Sequence, residues 1–455
     1  MVMAISRQMN IGVVLREDEP LVQVLQAIVP CLPNDALRRF HSLGNHELAE
    51  LSVIINSRRV SYEREKDARD SVREMISLTG LGALSAWGDT VVAHRDGILH
   101  AAYVAGAALP FRPLGELLDC DYPELPAAWI PNRAMLTHRK WSPAAMAALY
   151  VARQAVLEAG WSQSELRETV LMLGTSRGGA AGWIEPWPGR RGFPLMAASN
   201  AMHGEAAAAV SIELGIGGAY QVISTGCSAG LDALGMARMH LQCGMAQRAL
   251  VVAVDLPLVK FLLDSYHATG ILSKTGKNDP YHPLTSGIFP AEAAAAVALE
   301  IGSDDDAVKF SGYLANSDAC DPLSLAPKSG QLQALLRDGI RRFGMPQGLC
   351  PHATGTPSHA TAEPQCFAEV FSENPPSLHL LKPFLGHGIG AGSLLETVLW
   401  IDALRRRETL PNLPGLHAPV GFELPHEIRA VTGPIFKIAA SLGGHNALVA
   451  LETGN

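Results

Sequence analysis

One cysteine of this chain stands where a sulfur nucleophile would be made. It is Cys227, within Val222-Ile223-Ser224-Thr225-Gly226-Cys227-Ser228-Ala229-Gly230. Residues 220–224 read as a short β-branched strand, and residues 231–239 carry apolar side chains at helical spacing, so a tight strand-to-helix turn is predicted at the cysteine. At a helix N-terminus the unpaired N–H groups and the positive end of the helix dipole favour thiolate over thiol. The small neighbours Gly226, Ser228, Ala229 and Gly230 allow close approach of backbone and substrate. A small cysteine between strand and helix is also a common packing choice, so its company decides its meaning.

That company is three later segments. Pro351-His352-Ala353-Thr354-Gly355-Thr356-Pro357 comes first, then Lys382-Pro383-Phe384-Leu385-Gly386-His387-Gly388, and last Ser441-Leu442-Gly443-Gly444-His445-Asn446. Either histidine alone would read as a satisfied core residue. In this order, the set resembles the β-ketoacyl-acyl-carrier-protein synthases, elongating enzymes of fatty-acid and polyketide assembly. Their pattern is a Cys elbow, then His-x-Thr-x-Thr, Lys-x-x-x-Gly-His and a Gly-Gly-x-Asn turn. Residues 76–85, ISLTGLGALS, look like the first strand and turn of that fold, and the likeness runs from about Met75 to about Glu452.

The resemblance implies a thiolase-type five-layered αβαβα fold of two similar halves, a duplication that no visible sequence repeat announces. Residues 1–74 become an extension, expected to be helical. Residues 75–300 form the half with the Cys elbow, and 301–455 the half with both histidines. Cys227 would carry the acyl group, its backbone N–H and that of Leu442 forming the oxyanion hole. His352 and His387 would assist decarboxylation of a malonyl thioester and stabilise the enolate. Two neutral imidazoles donating N–H to one oxygen suit a step that builds negative charge. Lys382 would organise the site electrostatically, Thr354 and Thr356 would bind carrier-linked substrate, and Glu363 corresponds to an acid that supports the first histidine. The expected partners are an acyl carrier protein and a second copy or related subunit in a two-fold dimer, with the run from 206 to 222 at the contact. No cofactor or metal is expected. His359 and His445 match no family histidine and read as loop residues; Asn446 is expected to pin the last turn.

Several positions depart from the family pattern. Gly226 replaces Ala before the cysteine, loosening the elbow; Ala360 stands where an Asp is usual; residues 285–287 lack an Arg. Ala440 and Leu442 replace the aromatic pair that gates the acyl pocket, which predicts a more open path. The reacting groups are all kept, so the reading is a divergent, pathway-dedicated condensing enzyme. An acyltransferase that uses Cys227 without decarboxylation is the competing enzyme. A pocket-shaping, chain-length-factor-like partner subunit is the non-catalytic alternative, and the retained cysteine argues against it.

The elements that must hold these residues alternate. Helices are predicted over 141–160, 208–214, 331–343 and 392–407, and strands over 170–174, 249–254, 293–300, 378–381, 436–440 and 447–452. Such alternation predicts an α/β protein of parallel sheets covered by helices. Hydrophobic residues make up 48% of the 455 and charged ones 18%, which suits buried strands and excludes disorder. A net charge of −8 without a basic stripe excludes nucleic acid. It also means that an acidic carrier protein would need a local basic patch, with Arg190-Arg191 or Arg405-Arg406-Arg407 as the candidates. The seven cysteines, at 31, 120, 227, 243, 320, 350 and 366, form no Cys-x-x-Cys pair and read as reduced and cytoplasmic. No signal peptide is expected. The most apolar window, 249–263, is interrupted by Asp255 and Lys260 and is too short to span a membrane.

Overall fold

The computed structural model describes residues 75–179, 202–302, 307–321 and 329–454. The extension 1–74 and Arg190-Arg191 lie outside them.

Among the described residues, ten strands form the main sheet structure, apart from a small pairing of Arg112–Pro113 with Pro126–Ala127: β1 (Ile76–Leu84), β2 (Val170–Gly174), β3 (Tyr220–Ile223), β4 (Arg248–Asp255), β5 (Ala293–Ile301), β6 (Lys309–Ser317), β7 (Gly348–Cys350), β8 (Ser377–Leu378), β9 (Ile435–Ala440) and β10 (His445–Glu452). The helices α1 (Val91–Tyr103), α2 (Pro143–Ala159), α3 (Glu205–Leu214), α4 (Ala229–Gln242), α5 (Lys260–Ala268), α6 (Gly330–Phe343), α7 (Pro357–Val370) and α8 (Ile389–Arg405) alternate with them.

The strand order contains a repeat. The first five strands run β3-β2-β4-β5-β1 and the second five β8-β7-β9-β10-β6. In each set the third strand pairs in parallel with the second, and the second with the fourth; the fourth and fifth, and the fifth and first, pair antiparallel. Among the described residues, the strands of the two sets share one ladder pair, Ser77 of β1 with Lys309 of β6, with the Leu78 N–H donating to the Val308 carbonyl beside it. The sheets are therefore mixed, where alternation had suggested parallel ones. The turn at 441–444 is too short for a parallel crossover, so β10 must return antiparallel to β9.

Side chains along the strands alternate between two cores, as a two-residue period requires. Leu171, Leu250, Val252 and Ala296 face α2 and α3. Met172, Val251, Ala253 and Val297 face a central core shared with Leu231 and Leu234 of α4 and Leu394 and Val398 of α8. Beyond the second sheet, Phe436 and Ile438 pack against Leu332 and Leu336 of α6 and Phe367 of α7. The result is five layers, helix–sheet–helix–sheet–helix, with α4 and α8 buried in the middle. Local signals place the ends well: the Ser142 side chain caps α2, Pro143 opens it, and Gly160 closes it at φ 69°.

One expectation about an element's extent needs correction, and two elements were not anticipated. Residues 378–381 contribute only a two-residue strand. Strand β6 and helix α7 went unread; Pro364 lies inside α7 and masks its helical pattern. Among the described residues no helix is long and apolar enough to cross a membrane.

Candidate active site

β3 runs into a single tight turn, Gly226–Ser228, from which α4 starts at Ala229. Gly226 takes φ 65°, and a Cβ there would come within 3.2 Å of Ser441. Glycine in place of alanine thus seats the elbow tightly against the 441–444 turn and does not loosen it. The fit is fixed by Ser441 Oγ, which accepts from the Ser228 N–H at 2.8 Å and donates to Ser228 Oγ at 2.9 Å. Behind the elbow, the Asp232 carboxylate accepts from Thr225, Ser228, Tyr313 and His445. His445 begins β10 and is no loop residue.

The two other loops come from the second half of the sheet. β7 delivers His352, whose N–H, with that of Ala353, donates to Glu363 at 3.0 and 2.9 Å. A short helical turn, Lys382–Leu385, delivers His387, held by N–H donation to the Phe289 carbonyl at 2.7 Å. Ala353 (φ 43°) and Ile389 (φ 47°), next to these histidines, adopt the left-handed region that such residues avoid. Backbone strain of this kind persists only where the surroundings enforce it, and it gathers at functional sites.

Cys227, His352 and His387 converge, with one ligand atom from each within 4.8 Å of the others. Cys227 Sγ lies 3.2 Å from His387 Nε2, and the Leu442 N–H is directed at the same sulfur. Burial, then the nearby Lys382 charge, holds both imidazoles well below their usual pKa, so both are neutral. Burial also pushes the Cys227 thiol up to about 11, against the partial help of Lys382 and Arg177. Desolvation outweighs the helix terminus here, so the resting pair is a thiol beside a neutral imidazole. The thiolate expected from the sequence is not the resting form.

The cysteine and both histidines open onto a cavity of about 300 Å³, which Thr354, Thr356, Ala440 and Leu442 also line. Glu363 and Lys382 do not line it. Glu363 is fully buried beneath the His352 loop, where Tyr281 also donates to it, and burial raises its carboxyl to about 7. Lys382 Nζ binds Glu396 of α8 at 2.7 Å, and Lys437 of β9 grips the same carboxylate. Asn446 donates to Gly444 and Asp318 around the last turn.

Sequence reasoning missed several members. His359 lies on α7, lines the cavity, packs 5.0 Å from the His352 ring and binds Thr356 Oγ1 at 2.8 Å. Asp255 ends β4 and accepts from Ser176, Arg177 and Gly390 backbone N–H groups, tying the His387 loop to the first half. Where the family Arg is absent, Thr285 Oγ1 donates to the Gly355 carbonyl at 2.7 Å. The 405–407 run is not a bare cationic patch: Arg405 pairs with Glu158, and Arg406 with Asp402 and Glu408.

Residues 130–305 match the profile of the "Beta-ketoacyl synthase, N-terminal domain" and residues 308–415 that of the "Beta-ketoacyl synthase, C-terminal domain". Nodulation protein E of Rhizobium meliloti (strain 1021) is 24% identical over 407 residues, covering 83% of this chain and 98% of that protein. The highly reducing polyketide synthase ALT1 of Alternaria alternata is 30% identical over 217 residues, 45% of this chain but only 8% of that protein. Among solved structures, a ketosynthase from module 6 of the bacillaene synthase of Bacillus subtilis 168 superposes with a TM-score of 0.68 at 20% identity, covering 84% of this chain and 72% of that one. A type II polyketide synthase acyl-carrier protein in complex with its ketosynthase gives 0.69 at 19% identity, covering 84% and 99%.

Proposed function

The chain belongs to the β-ketoacyl synthase family, and from that premise we propose that it joins a carrier-bound acyl group to a malonyl thioester by decarboxylative Claisen condensation. The observation that carries this is the convergence of a thiol, a neutral imidazole 3.2 Å from it and a second neutral imidazole on one cavity. In the first half-reaction the Cys227 sulfur attacks the acyl thioester carbonyl. Its proton ends on the departing thiolate, and the tetrahedral oxyanion sits between the N–H groups of Cys227 and Leu442. In the second, the malonyl thioester loses CO2, and the enolate oxygen accepts N–H bonds from His352 and His387. The carbanion then attacks the acyl-Cys carbonyl. A carbon–carbon bond forms, the carbon–sulfur bond breaks, and the freed thiolate takes up one proton. Lys382 works through charge: with burial, it keeps the histidines neutral and so available as donors.

The proposed partner is an acyl carrier protein bearing the phosphopantetheine-linked groups, and the proposed setting is the cytoplasm, where the thiols stay reduced. A two-fold dimer, with itself or with a related subunit, is supported by the exposed edge. β3 ends its sheet, and Tyr220, with Ile212 on neighbouring α3, is solvent-exposed. The missing Asp at Ala360 and the missing Arg near 285–287 favour a second reading, acyl transfer without decarboxylation. Carboxyl-labelled malonyl carrier protein separates the two. Release of labelled CO2 that requires His352 and His387 supports condensation, and acyl transfer without release supports the transferase.

A further inference from the structure

Inside the cavity, Arg177 and Tyr266 form a pair that the condensation chemistry does not use. Arg177 follows β2 and Tyr266 sits on α5; both line the cavity with Cys227. Arg177 Nε donates to the Tyr266 hydroxyl at 2.9 Å, and the guanidinium carbon lies 5.6 Å from the ring centroid. Among the described residues, no carboxylate is ion-paired with this guanidinium. The nearest acid, Asp255, is taken up by the Ser176, Arg177 and Gly390 backbone N–H groups and the Thr175 hydroxyl. No group among the described residues accepts a hydrogen bond from the Tyr266 hydroxyl. Among the described residues, the remaining guanidinium N–H groups and the phenol O–H are therefore unspent donors on residues that line one cavity. Ser176, Thr269 and Ser358 add hydroxyls to a wall that Ile271, Ile288 and Ile389 otherwise make apolar, so the pair is the charged feature of this part of the cavity.

A hydrocarbon tail would bury these donors without replacing their water, an unfavourable exchange. An anionic oxygen would satisfy both at once. The malonyl carboxylate is a poor candidate. It becomes neutral CO2 as it leaves, so an arginine holding it would stabilise the ground state more than the transition state and slow the step. Resting on the condensing-enzyme reading above, we propose that Arg177 and Tyr266 select acyl donors whose chain carries a carboxylate, and that this enzyme elongates oxygenated, acidic acyl groups in preference to plain alkyl ones.

The test acylates Cys227 of the full chain with hexanoyl and adipoyl pantetheine thioesters, equal in carbon count and differing in the terminal carboxylate, followed by intact mass. The wild type should take adipoyl faster by roughly ten- to hundredfold, the range of a charge-assisted bond. Arg177→Leu should erase or invert that ratio, Arg177→Lys should leave part of it, and Tyr266→Phe should lower it less. Comparing ratios within each variant cancels any general loss of folding. An unchanged ratio in Arg177→Leu, or a wild-type preference for hexanoyl, overturns the assignment. A change confined to malonyl decarboxylation overturns it too, by placing the carboxylate partner on the extender. Labelling of Cys227 by neither thioester would instead overturn the acyl-Cys reading beneath it.

Discussion

Glu396 is wholly buried between two lysines, and the count of charges there sets up an asymmetric mutational outcome. Lys382 binds one carboxylate oxygen at 2.7 Å and Lys437 the other; Glu396 and Lys437 are at most 1% exposed. Burial opposes ionisation, yet the two ammonium groups hold the Glu396 carboxyl below its usual range. Glu396→Gln leaves two buried ammoniums facing an amide, and stranding a buried charge costs about 3–5 kcal/mol. That is a fifth or more of the net stability of a typical domain, about 5–15 kcal/mol. Lys437→Met behaves differently. It keeps the stem volume, leaves a balanced Lys382–Glu396 pair, and gives up only one further bond, to the Pro351 carbonyl at 3.2 Å, so the cost should be about 1–2 kcal/mol. Lys382→Met likewise leaves one acid with one base. Urea unfolding at neutral pH should rank Glu396→Gln far below both lysine variants. Because the native Glu396 pKa is lowered, its contribution is complete above about pH 5 and is lost only as pH falls through the native value; the ranking should hold from pH 6 to 8. Lysine variants as unstable as Glu396→Gln would refute the argument, since the triad would then be acting as one inseparable unit.

Other outcomes follow from the same geometry. Alkylation of Cys227 by iodoacetamide should climb about tenfold per pH unit between pH 6 and 9, because burial holds the thiol near 11; a plateau near pH 7 would show a preformed thiolate–imidazolium pair. Cys227→Ala should abolish acylation, whereas His352→Ala and His387→Ala should lose more condensation than acylation, read by intact mass and labelled CO2. Equal loss of acylation in all three would end that division of roles. Ala440→Phe adds a ring at a position 1% exposed on the cavity wall, an overpacking of about 1–3 kcal/mol. Competition between acyl carrier proteins should show the loss falling on long chains; equal loss for short ones would make Ala440 a structural residue.

The groups proposed to react were legible as candidates because each sits in a short motif whose spacing suits its chemistry: a strand and small residues around Cys227, glycines around His387. The groups that support them were not. Asp255 meets Gly390 across 135 residues, and Lys437 meets Glu396 across 41, so no local window joins them. His359 was hidden by the prolines at 357 and 364, which obscure the helix that carries it. The ionisation of Cys227 was misjudged for a related reason: the helix terminus is visible in sequence, whereas the burial that outweighs it depends on packing from distant segments. The duplication entered only through the family resemblance, because the halves share strand order and not residues.

That duplication has a mechanical consequence. Cys227 leaves the third strand of one half and His387 follows the third strand of the other, yet the strands of the two halves share a single ladder pair among the described residues. The 3.2 Å between sulfur and nitrogen is therefore set by α4 against α8, by the Asp255–Gly390 bond and by the His387 N–H donated to Phe289, not by the register between the two sets of strands. In effect the molecule is a heterodimer on a leash. The connection after Ile301 supplies the effective concentration that two separate chains would have to reach by affinity. A cut there should leave the site assembled, provided the apolar faces of α4 and α8 hold the fragments together. A polar substitution within that buried interface should separate nucleophile from imidazole while sparing each sheet.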